Sequence, residues 1–484
     1  MRRYLLASLT AAMLLGSAVP AAAHPTQRLD PTLPTDLTYK ATDNVEYLGR
    51  FPEHTGTAGG RLSADRTRFY VTDPRGVYVY DTTKPESPTL LGSLPLYQQG
   101  AGVALAQEDP DTNGKILLVD GATAPAAAAQ LQVVDVSDPK SMKVLSSVKV
   151  TDHTWTCVTG IDDTGAQNSC AYAYGRSGHI VDLTDPANAT LLPSTWRKAV
   201  NLGDRSNTPY THDLTEIRPG LVMTAGADAL LMDTTDPTQP VRLTIIQQTG
   251  RFSSLGYHSA EWANGGRDPH LVLGTEIAPS GPTNTAGSDC EGPNSVIETW
   301  DASQVVAALD AYEAGATVEE AFGTAKFTKT DAFDAGSRGI FLTGAAPSHV
   351  LFCAHWMELH PEFDGQGLMT VSYYDRGTRF VNIAADGKMT EIGWMVPAEG
   401  YSGSSQWISD NVVYIMDYRR GLEVVRLKPT PATGVNTDTP HPIAVGSGFV
   451  PLSALHPAAA SSLGLGLVLL GAQLRRRRRA AATD

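Results

Sequence analysis

Basic residues are scarce in this chain of 484 residues, in which 37 lysines and arginines face 51 aspartates and glutamates, for a net charge of −14. Arg2, Arg3 and the run from Arg475 to Arg479 lie at the two ends, so the middle of the chain is more acidic still. Nucleic-acid binding depends on lysine and arginine to neutralise phosphates. The composition therefore excludes nucleic acid as an expected partner.

Several catalytic motifs are also missing. The chain has no glycine-rich phosphate loop, no nucleophile-elbow motif and no HExxH zinc helix. These absences exclude the commonest nucleotide-binding sites, the α/β-hydrolase mechanism and the thermolysin type of zinc site.

The N-terminus has the layout of a secretory signal peptide. Arg2 and Arg3 precede an apolar run from Leu5 to Val19, and Ala21 to Ala23 form a small-residue cleavage site. We expect a signal peptide over residues 1–23 and a leader over 24–43. The arginine pair fits both Sec and twin-arginine export, and we favour Sec.

The C-terminus has the layout of a membrane anchor. An apolar segment from Ala458 to Leu474 is followed at once by the five arginines of residues 475–479. At a rise of 1.5 Å per residue it spans roughly 25 Å, somewhat less than the ~30 Å hydrocarbon core. Residues 458–479 are either a marginal span with the arginines inside or a sorting signal that is cut off after export, although no LPxTG motif precedes them. We expect an extracellular or cell-surface protein, with a linker at 429–457.

Cysteine is rare, with four residues in all. In an exported chain an even number favours two disulfides, and three connectivities are possible. Cys157 and Cys170 are close enough in sequence to face each other across a hairpin, which leaves Cys290 for Cys353. Reactive thiols are the alternative.

Internal repetition dominates the chain. In each copy an alternating β-run ends in aspartate, serine or threonine follows, and proline closes a turn before an apolar strand. The repeated aspartates, Asp81, Asp135, Asp182 and Asp233, are 54, 47 and 51 positions apart, a period that suits four-stranded propeller blades of roughly 40 to 50 residues. The four clear and three weaker copies are Val77–Pro85, Leu131–Pro139, His179–Pro186, Leu230–Pro237, Ser295–Asp301, Arg379–Ile383 and Leu422–Arg426.

These segments resemble the LVIVD repeat family, which is named for a strand that ends in aspartate. The resemblance covers roughly Val45 to Arg426 and implies a propeller fold without implying an activity. We therefore predict an all-β protein whose residues 44–428 form a propeller of about seven four-stranded antiparallel blades. Val45–Phe51 is predicted to close the ring as the outer strand of the last blade, whose own copy stops at Leu427.

The fifth copy contains an insertion at about residues 302–346. Ser303 to Ala314 within it has the pattern of an amphipathic helix that ends at Gly315. Insertions in repeats map to one face, often the binding face, so we expect this one at the rim that carries the functional residues.

Histidines recur in register at the start of the innermost strand of blades three to six: His153, His212, His258 and His355. Imidazoles and carboxylates that converge on the channel axis suit copper, zinc, iron or manganese. The alternative is that each histidine caps its strand and bonds the next blade. The selenium-binding protein and methanethiol oxidase family is similar in architecture, with histidines in a propeller channel, but implies no residue role here.

A second rim feature is a recurrent turn with aspartate, arginine and glycine. Its arginines could clamp an anionic ligand, or they could tie adjacent blades together. The predicted ligand-binding residues are Arg75, Arg176, Glu276, Asp375, Arg376, Asp417 and Arg420.

The stretch from Asp109 to Asp120 imitates a calcium-binding EF-hand loop, with Gly114 at its sixth place. Asn113-Gly114 is also a hairpin turn, and the matching stretch of blade one is a plain hairpin. We favour the hairpin, so calcium is a weaker expectation than a transition metal.

Three functions fit these features. The first is a surface-tethered, monomeric binding protein that holds an unidentified ligand or protein at its upper rim, with the histidines as a metal site. The second is a metal-dependent oxidase or hydrolase, in which Glu261 or Glu358 is a ligand or general base beside His212, His258 and His355. A structural role in a surface layer is the third.

Overall fold

The computed structural model describes residues 38–57, 59–96, 108–120, 130–150, 152–201, 211–247, 256–276, 296–335 and 354–429. The predicted signal peptide, the C-terminal apolar segment with its arginines, and Cys290 and Cys353 lie outside these ranges. No helix within them combines the length and the hydrophobicity that crossing a bilayer requires.

The described residues form seven antiparallel sheets, six with four strands and one with five. The predicted all-β, seven-bladed propeller is therefore confirmed. Its strands are β1 (Tyr39–Ala41), β2 (Val45–Phe51), β3 (Gly60–Leu62), β4 (Arg68–Asp73), β5 (Gly76–Asp81), β6 (Thr89–Pro95), β7 (Asp111–Thr112), β8 (Ile116–Asp120), β9 (Leu131–Asp135), β10 (Lys143–Val148), β11 (Trp155–Ile161), β12 (Gln167–Gly175), β13 (His179–Asp182), β14 (Thr190–Thr195), β15 (Thr211–Arg218), β16 (Leu221–Gly226), β17 (Asp228–Asp233), β18 (Val241–Gln247), β19 (Tyr257–Trp262), β20 (His270–Thr275), β21 (Ile297–Asp301), β22 (Thr328–Phe333), β23 (Met357–Leu359), β24 (Gly367–Ser372), β25 (Thr378–Ile383), β26 (Met389–Pro397), β27 (Ser402–Trp407), β28 (Val412–Asp417) and β29 (Gly421–Leu427).

Blades one to six begin at β3, β7, β11, β15, β19 and β23, and each uses four consecutive strands from the channel outwards. Blade seven consists of β27, β28 and β29, and β2 completes it as the outer strand. The predicted closure by residues 45–51 is thus observed, with Val45 opposite Leu427 and Phe51 opposite Leu422. The sequence did not predict β1, which adds a fifth strand to blade six by pairing with β26.

The repeated aspartate ends the third strand of a blade and organises the turn to the outer strand. The Asp81 carboxylate accepts hydrogen bonds from the backbone N–H and the hydroxyl of Thr83, at 2.8 and 2.6 Å. Asp182 accepts the same pair from Thr184. The short side chain of aspartate can accept these bonds from a serine or threonine two positions ahead, which favours the turn. Because this interaction is local, the repeat can be recognised in the sequence.

The core lies between the blades. Alternate residues of a strand contact opposite neighbours, so that Phe69 and Val71 pack against blade seven while Tyr70 packs against blade two. Seven such buried clusters fill the seven blade interfaces. In blade three the predicted Cys157–Cys170 disulfide joins β11 to β12.

The α-helices within the described ranges are α1 (Trp196–Ala199), α2 (Ala263–Gly266), α3 (Ser303–Glu313) and α4 (Val318–Phe322). The predicted helix of the insertion is α3, and β22 follows it as the outer strand of blade five. α3 begins after Asp301, which pairs with His270, whereas Tyr257 pairs with Thr275 at the other end of the blade. α3 therefore lies at the rim opposite His258, and the expectation that it shares the histidine rim was wrong.

Ion pairs to the hairpin loops of that rim hold α3 in place. The Arg267 guanidinium pairs with Asp310 and Glu313, and Arg218 also pairs with Glu313. Val305 and Leu309 are buried in the core between blades four and five.

Candidate metal centre

The structure brings the four predicted histidines together in the channel. The imidazole centroids are 5.0 Å apart for His153 and His212, 3.6 Å for His212 and His258, and 4.3 Å for His258 and His355. His212, His258 and His355 are buried, with at most 1% of each residue exposed. They form a wall on one side of the channel, below the rim rather than on its surface.

β-bulges at the start of the innermost strands explain how these side chains reach the axis. In blade four Thr211 and Asp213 are paired with consecutive residues of β16, which leaves His212 as the extra residue. His258 has the same place in β19, and Gly403 has it in β27. A bulge re-aims the side chain and releases the backbone groups of the extra residue from the ladder.

The released carbonyl groups orient the histidines of the preceding blade. The Nδ1 of His212 lies 3.1 Å from the carbonyl oxygen of His258, and the Nδ1 of His355 bonds the carbonyl oxygen of Gly403. An N–H on Nδ1 leaves Nε2 as the nitrogen with the free lone pair, directed at the axis.

Two carboxylates complete the arrangement, which we call the His/Glu centre and define as His153, His212, His258, His355, Glu108 and Glu276. The Glu108 Oε2 lies 3.0 Å from the Nε2 of His153, 3.7 Å from His212, 3.9 Å from His258 and 3.5 Å from His355. The Glu276 Oε2 lies 3.4 Å from the Nε2 of His258. Four imidazoles from four blades therefore converge on one carboxylate oxygen.

Glu108 is the residue that sequence reasoning missed. It precedes β7 as His153 precedes β11, so it occupies in blade two the place that histidine occupies in the next four blades. Extending the histidine alignment by one blade would have found it. Glu276, predicted as a rim ligand beside the arginines, faces the histidines instead.

Buried tyrosines hold both carboxylates. The Tyr418 hydroxyl donates to Glu108 Oε1 at 2.8 Å, and the Tyr374 hydroxyl donates to Glu276 Oε1 at 2.7 Å. Burial raises the pKa of both phenols well above the usual value, and the adjacent glutamates add to the effect. Both tyrosines therefore remain protonated donors.

The donor set fits a transition metal. Two overlapping groups, Glu108 with His212 and His258, and Glu276 with His258 and His355, each have their donor atoms within 4.8 Å of one another. Bonds of ~2.1 Å place two tetrahedral ligand atoms roughly 3.4 Å apart, close to the observed 3.7 Å for Glu108 with His212 and 3.4 Å for Glu276 with His258. Imidazole with carboxylate suits zinc, copper, iron or manganese.

Protonation of the histidines would oppose such an ion. Burial disfavours the imidazolium of His355, but Glu108 and Glu276 outweigh burial and raise its pKa above the usual value. The ion would have to displace this proton, because a histidine binds a metal only as the neutral imidazole.

A cavity of about 190 Å³ lies farther along the channel, and Glu108 lines it. The predicted catalytic residues Glu261 and Glu358 line it too, three positions along the chain from His258 and His355. They are outside both ligand groups. Burial raises the pKa of Glu261 to about 7 and that of Glu358 to about 8.

The predicted anion-binding arginines all have carboxylate partners. Arg75 pairs with Asp73 of its own turn, Arg176 lies 3.5 Å from Asp152, and Arg420 lies 2.8 Å from Glu423. Arg376 links blade six to Asp334, just after the last strand of blade five, at 2.9 Å.

The aspartates of these turns have structural contacts. Asp417 is buried and accepts hydrogen bonds from the backbone N–H groups of Tyr401, Arg419 and Arg420. Asp375 lies in the turn between β24 and β25. The same two turns also contain Tyr374 and Tyr418. These turns therefore contact the His/Glu centre through tyrosine hydroxyls.

The stretch that imitates an EF-hand loop forms the hairpin of β7 and β8. Asn113 accepts hydrogen bonds from the backbone N–H groups of Lys115 and Ile116, and Gly114 adopts φ +81° in the turn. The carboxylate of Asp111 accepts from the Cys157 N–H, and that of Asp120 accepts from the Trp155 indole. These two carboxylates therefore bond blade three.

Comparison with known proteins adds two structural neighbours and no family. This chain matches no protein-family model and no curated protein. Two similar solved structures are the β-propeller domain of Myceliophteria thermophila Cps50 (Swd1), with a TM-score of 0.48 and 10% identity over 77% of this chain and 96% of that one, and the WD40 repeats of RRP9, with a TM-score of 0.47 and 10% identity over 81% and 100%. The resemblance to the LVIVD family remains a prediction.

Proposed function

We propose that this chain is an exported propeller, tethered at the cell surface, that binds its ligand through a transition-metal ion held by the His/Glu centre. The observation that carries the proposal is the convergence of the four Nε2 atoms on the Glu108 Oε2, at 3.0 to 3.9 Å. Histidines that only capped their own strands would not need to approach a common point. Histidines that bind one ion must do so.

Within such a site the residues have distinct parts. His212, His258, His355, Glu108 and Glu276 would hold the ion, and the ion would supply an electrophilic centre for a ligand atom. The backbone carbonyls of His258 and Gly403 hold the imidazoles in their tautomers. The two tyrosines hold the carboxylates.

Export and tethering rest on the two ends of the sequence. The Cys157–Cys170 disulfide supports export, because disulfides persist in oxidising compartments. Membership of the LVIVD family would fit the same assignment, since four turns carry its aspartate.

A metal-dependent oxidase or hydrolase is the second candidate, and the cavity beside the centre favours it. Glu261 and Glu358 line that cavity, and a pKa of about 7 or 8 would let either exchange a proton near neutral pH.

Elemental analysis tests the metal. The chain, produced without a histidine tag and purified without chelators, should hold close to one equivalent of copper, zinc, iron or manganese. His212→Ala/His258→Ala/His355→Ala should lose it, and Glu108→Gln should weaken it at nearly unchanged volume. His179→Ala is the matched control, because His179 is partly exposed and pairs with Asp152 outside the centre. A parent without metal after equilibration with these ions would contradict the proposal.

A further inference from the structure

We propose that the channel cavity beyond the His/Glu centre binds a small organic cation that carries ammonium groups, through the carboxylates of Glu216, Glu261 and Glu358. This cation site is separate from the proposed metal site and does not require a bound metal. At about 190 Å³, and with about 30 Å³ for each water, the cavity has room for roughly six water-sized groups, which is enough for a small polar metabolite.

The charges of the wall are unbalanced in favour of a cation. Arg61 is the single basic side chain among the residues that line the cavity. The Arg61 guanidinium lies 3.4 Å from Asp111 and 3.7 Å from Asp109, so it faces the carboxylates of blade two. Carboxylates also line the cavity from blades four, five and six, at Glu216, Glu261 and Glu358.

These three glutamates have acceptor capacity to spare. Glu261 accepts no hydrogen bond from any residue in the described ranges. Glu358 accepts one, from the Trp407 N–H at 2.7 Å. Glu216 accepts from the N–H and the hydroxyl of Thr159, at 2.7 and 2.8 Å. An ammonium group carries three donors, which spare carboxylate lone pairs can accept.

Trp356 is an independent indication of a ligand. Its indole Nε1 is buried and has no hydrogen-bond partner, although the residue lines the cavity. A buried N–H without an acceptor costs free energy unless a bound molecule or water supplies one.

A single metal ion fits this cavity less well than an extended cation. Within the described residues, the groups of three or more ligand atoms that approach within 4.8 Å all belong to the His/Glu centre. The cavity carboxylates come from separate blades around the channel. A flexible molecule with two ammonium groups can contact several of them at once.

Binding of such a cation should release protons. Burial raises the pKa of Glu216 and Glu261 to about 7 and that of Glu358 to about 8, so these groups are partly protonated at neutral pH. Arg61 lowers the pKa of Glu261 and Asp109 raises it further. For Glu358, Glu261 raises the pKa, and the Trp407 N–H, Arg61 and Arg66 lower it. A bound ammonium group would ionise the carboxylates, as any adjacent positive charge does.

The test compares three probes of equal chain length: 1,4-diaminobutane, 1,4-butanediol and succinate. Isothermal titration calorimetry on the chelator-treated chain should show binding of the diamine alone. Its affinity should rise from about pH 6 to about pH 8.5, and protons should be released to the buffer. Binding of succinate would overturn the proposal in favour of an anion site at Arg61, and binding of no probe would overturn it outright.

Isosteric variants locate the site. Glu261→Gln/Glu358→Gln should weaken the diamine by roughly tenfold for each charge removed. Glu319→Gln, the same change on the exposed surface of α4, should have no effect. Thermal unfolding shows whether each variant is folded. If the double variant does not fold, the diamine affinity is measured on Glu358→Gln alone. Unchanged affinity in folded variants would overturn the assignment.

Metal content is measured separately on the same preparations. A chain that binds the diamine but no metal would contradict the proposed function and leave this inference standing. A chain that binds metal but not the diamine would do the reverse.

Discussion

Tyr374 and Tyr418 hold the two carboxylates of the His/Glu centre through the oxygens Oε1, which leaves the oxygens Oε2 to the histidines. In a metal-bound protein these phenols would orient the ligand oxygens by hydrogen-bonding the same carboxylates. Loss of such a contact typically lowers metal affinity by about 10-fold to 100-fold, because the ligand oxygen is no longer held in place.

We therefore expect Tyr418→Phe to weaken the metal by about 10-fold to 100-fold without unfolding the chain. A competition titration with a chromophoric chelator measures the affinity. Tyr312→Phe is the matched control, since Tyr312 donates to the Asp233 carboxylate at 2.8 Å far from the channel. Equal affinities in the two variants would show that Tyr418 has no part in the site.

Another buried tyrosine, Tyr80, stabilises the fold and has no contact with the His/Glu centre. The His54 Nδ1 lies 3.2 Å from Asp73, and its Nε2 lies 2.5 Å from the Tyr80 hydroxyl, with all three side chains buried. The carboxylate accepts from Nδ1–H, so Nε2 accepts from the phenol. This chain of hydrogen bonds connects the segment before β3 to β4 and β5.

Tyr80→Phe should lower the free energy of unfolding by about 1 to 3 kcal/mol, because the buried Nε2 loses its donor. Urea denaturation measures the difference. Tyr78→Phe should cost less, since the Tyr78 hydroxyl makes no hydrogen bond within the described residues. A larger loss for Tyr78→Phe than for Tyr80→Phe would contradict this account.

At the scale of elements, β2 holds the ring together. It pairs with β29 over its whole length and buries Phe51 against Phe69 and Tyr80 in the interface of blades seven and one. Without β2 the last blade would expose an unpaired edge and part of its core, which favours aggregation.

A chain that begins at residue 52 should therefore aggregate or unfold at a lower temperature than one that begins at residue 38. Size-exclusion chromatography and thermal unfolding compare the two. The longer chain keeps every described strand, whereas the shorter one lacks both β1 and β2, and a third chain that begins at residue 43 separates the two effects by losing β1 alone. Equal stability would mean that the ring closes without β2.

The secondary-structure elements also show how much of the fold could be predicted from the sequence. The aspartate turns are local, because Asp81 and Asp182 bond residues two positions ahead, so their repetition predicted the blades and the closing strand. Bulges are not local in this sense. No residue pattern announced that His212 and His258 are the extra residues of their strands.

The position of α3 shows the same limit. The sequence pattern predicted the helix itself. The rim at which the helix lies depends on which strand precedes it. The third strand of blade five runs in the same direction as the first, so Asp301, at its end, lies away from His258, at the start of the first.

At the scale of the whole molecule, the channel contains several acids whose ionisation the fold opposes. The unfolded chain ionises its glutamates near pH 4.3, whereas the folded chain keeps Glu261 and Glu358 neutral until their pKa values of about 7 and 8. Between these limits the folded state binds more protons than the unfolded state. The stability they contribute is therefore complete below about pH 4 and is lost as the pH rises through 7 and 8.

The chelator-treated chain should accordingly unfold at a lower temperature at about pH 8.5 than at about pH 5.5. Glu261→Gln/Glu358→Gln should show a smaller decrease, because amides do not ionise, while Glu319→Gln should show the decrease of the parent. His355 is common to all three proteins, and its raised pKa acts in the same direction, so the difference between variants isolates the cavity acids. Parallel pH profiles for the parent and the double variant would mean that the channel leaves these carboxylates ionised, and that any bound cation meets them already charged.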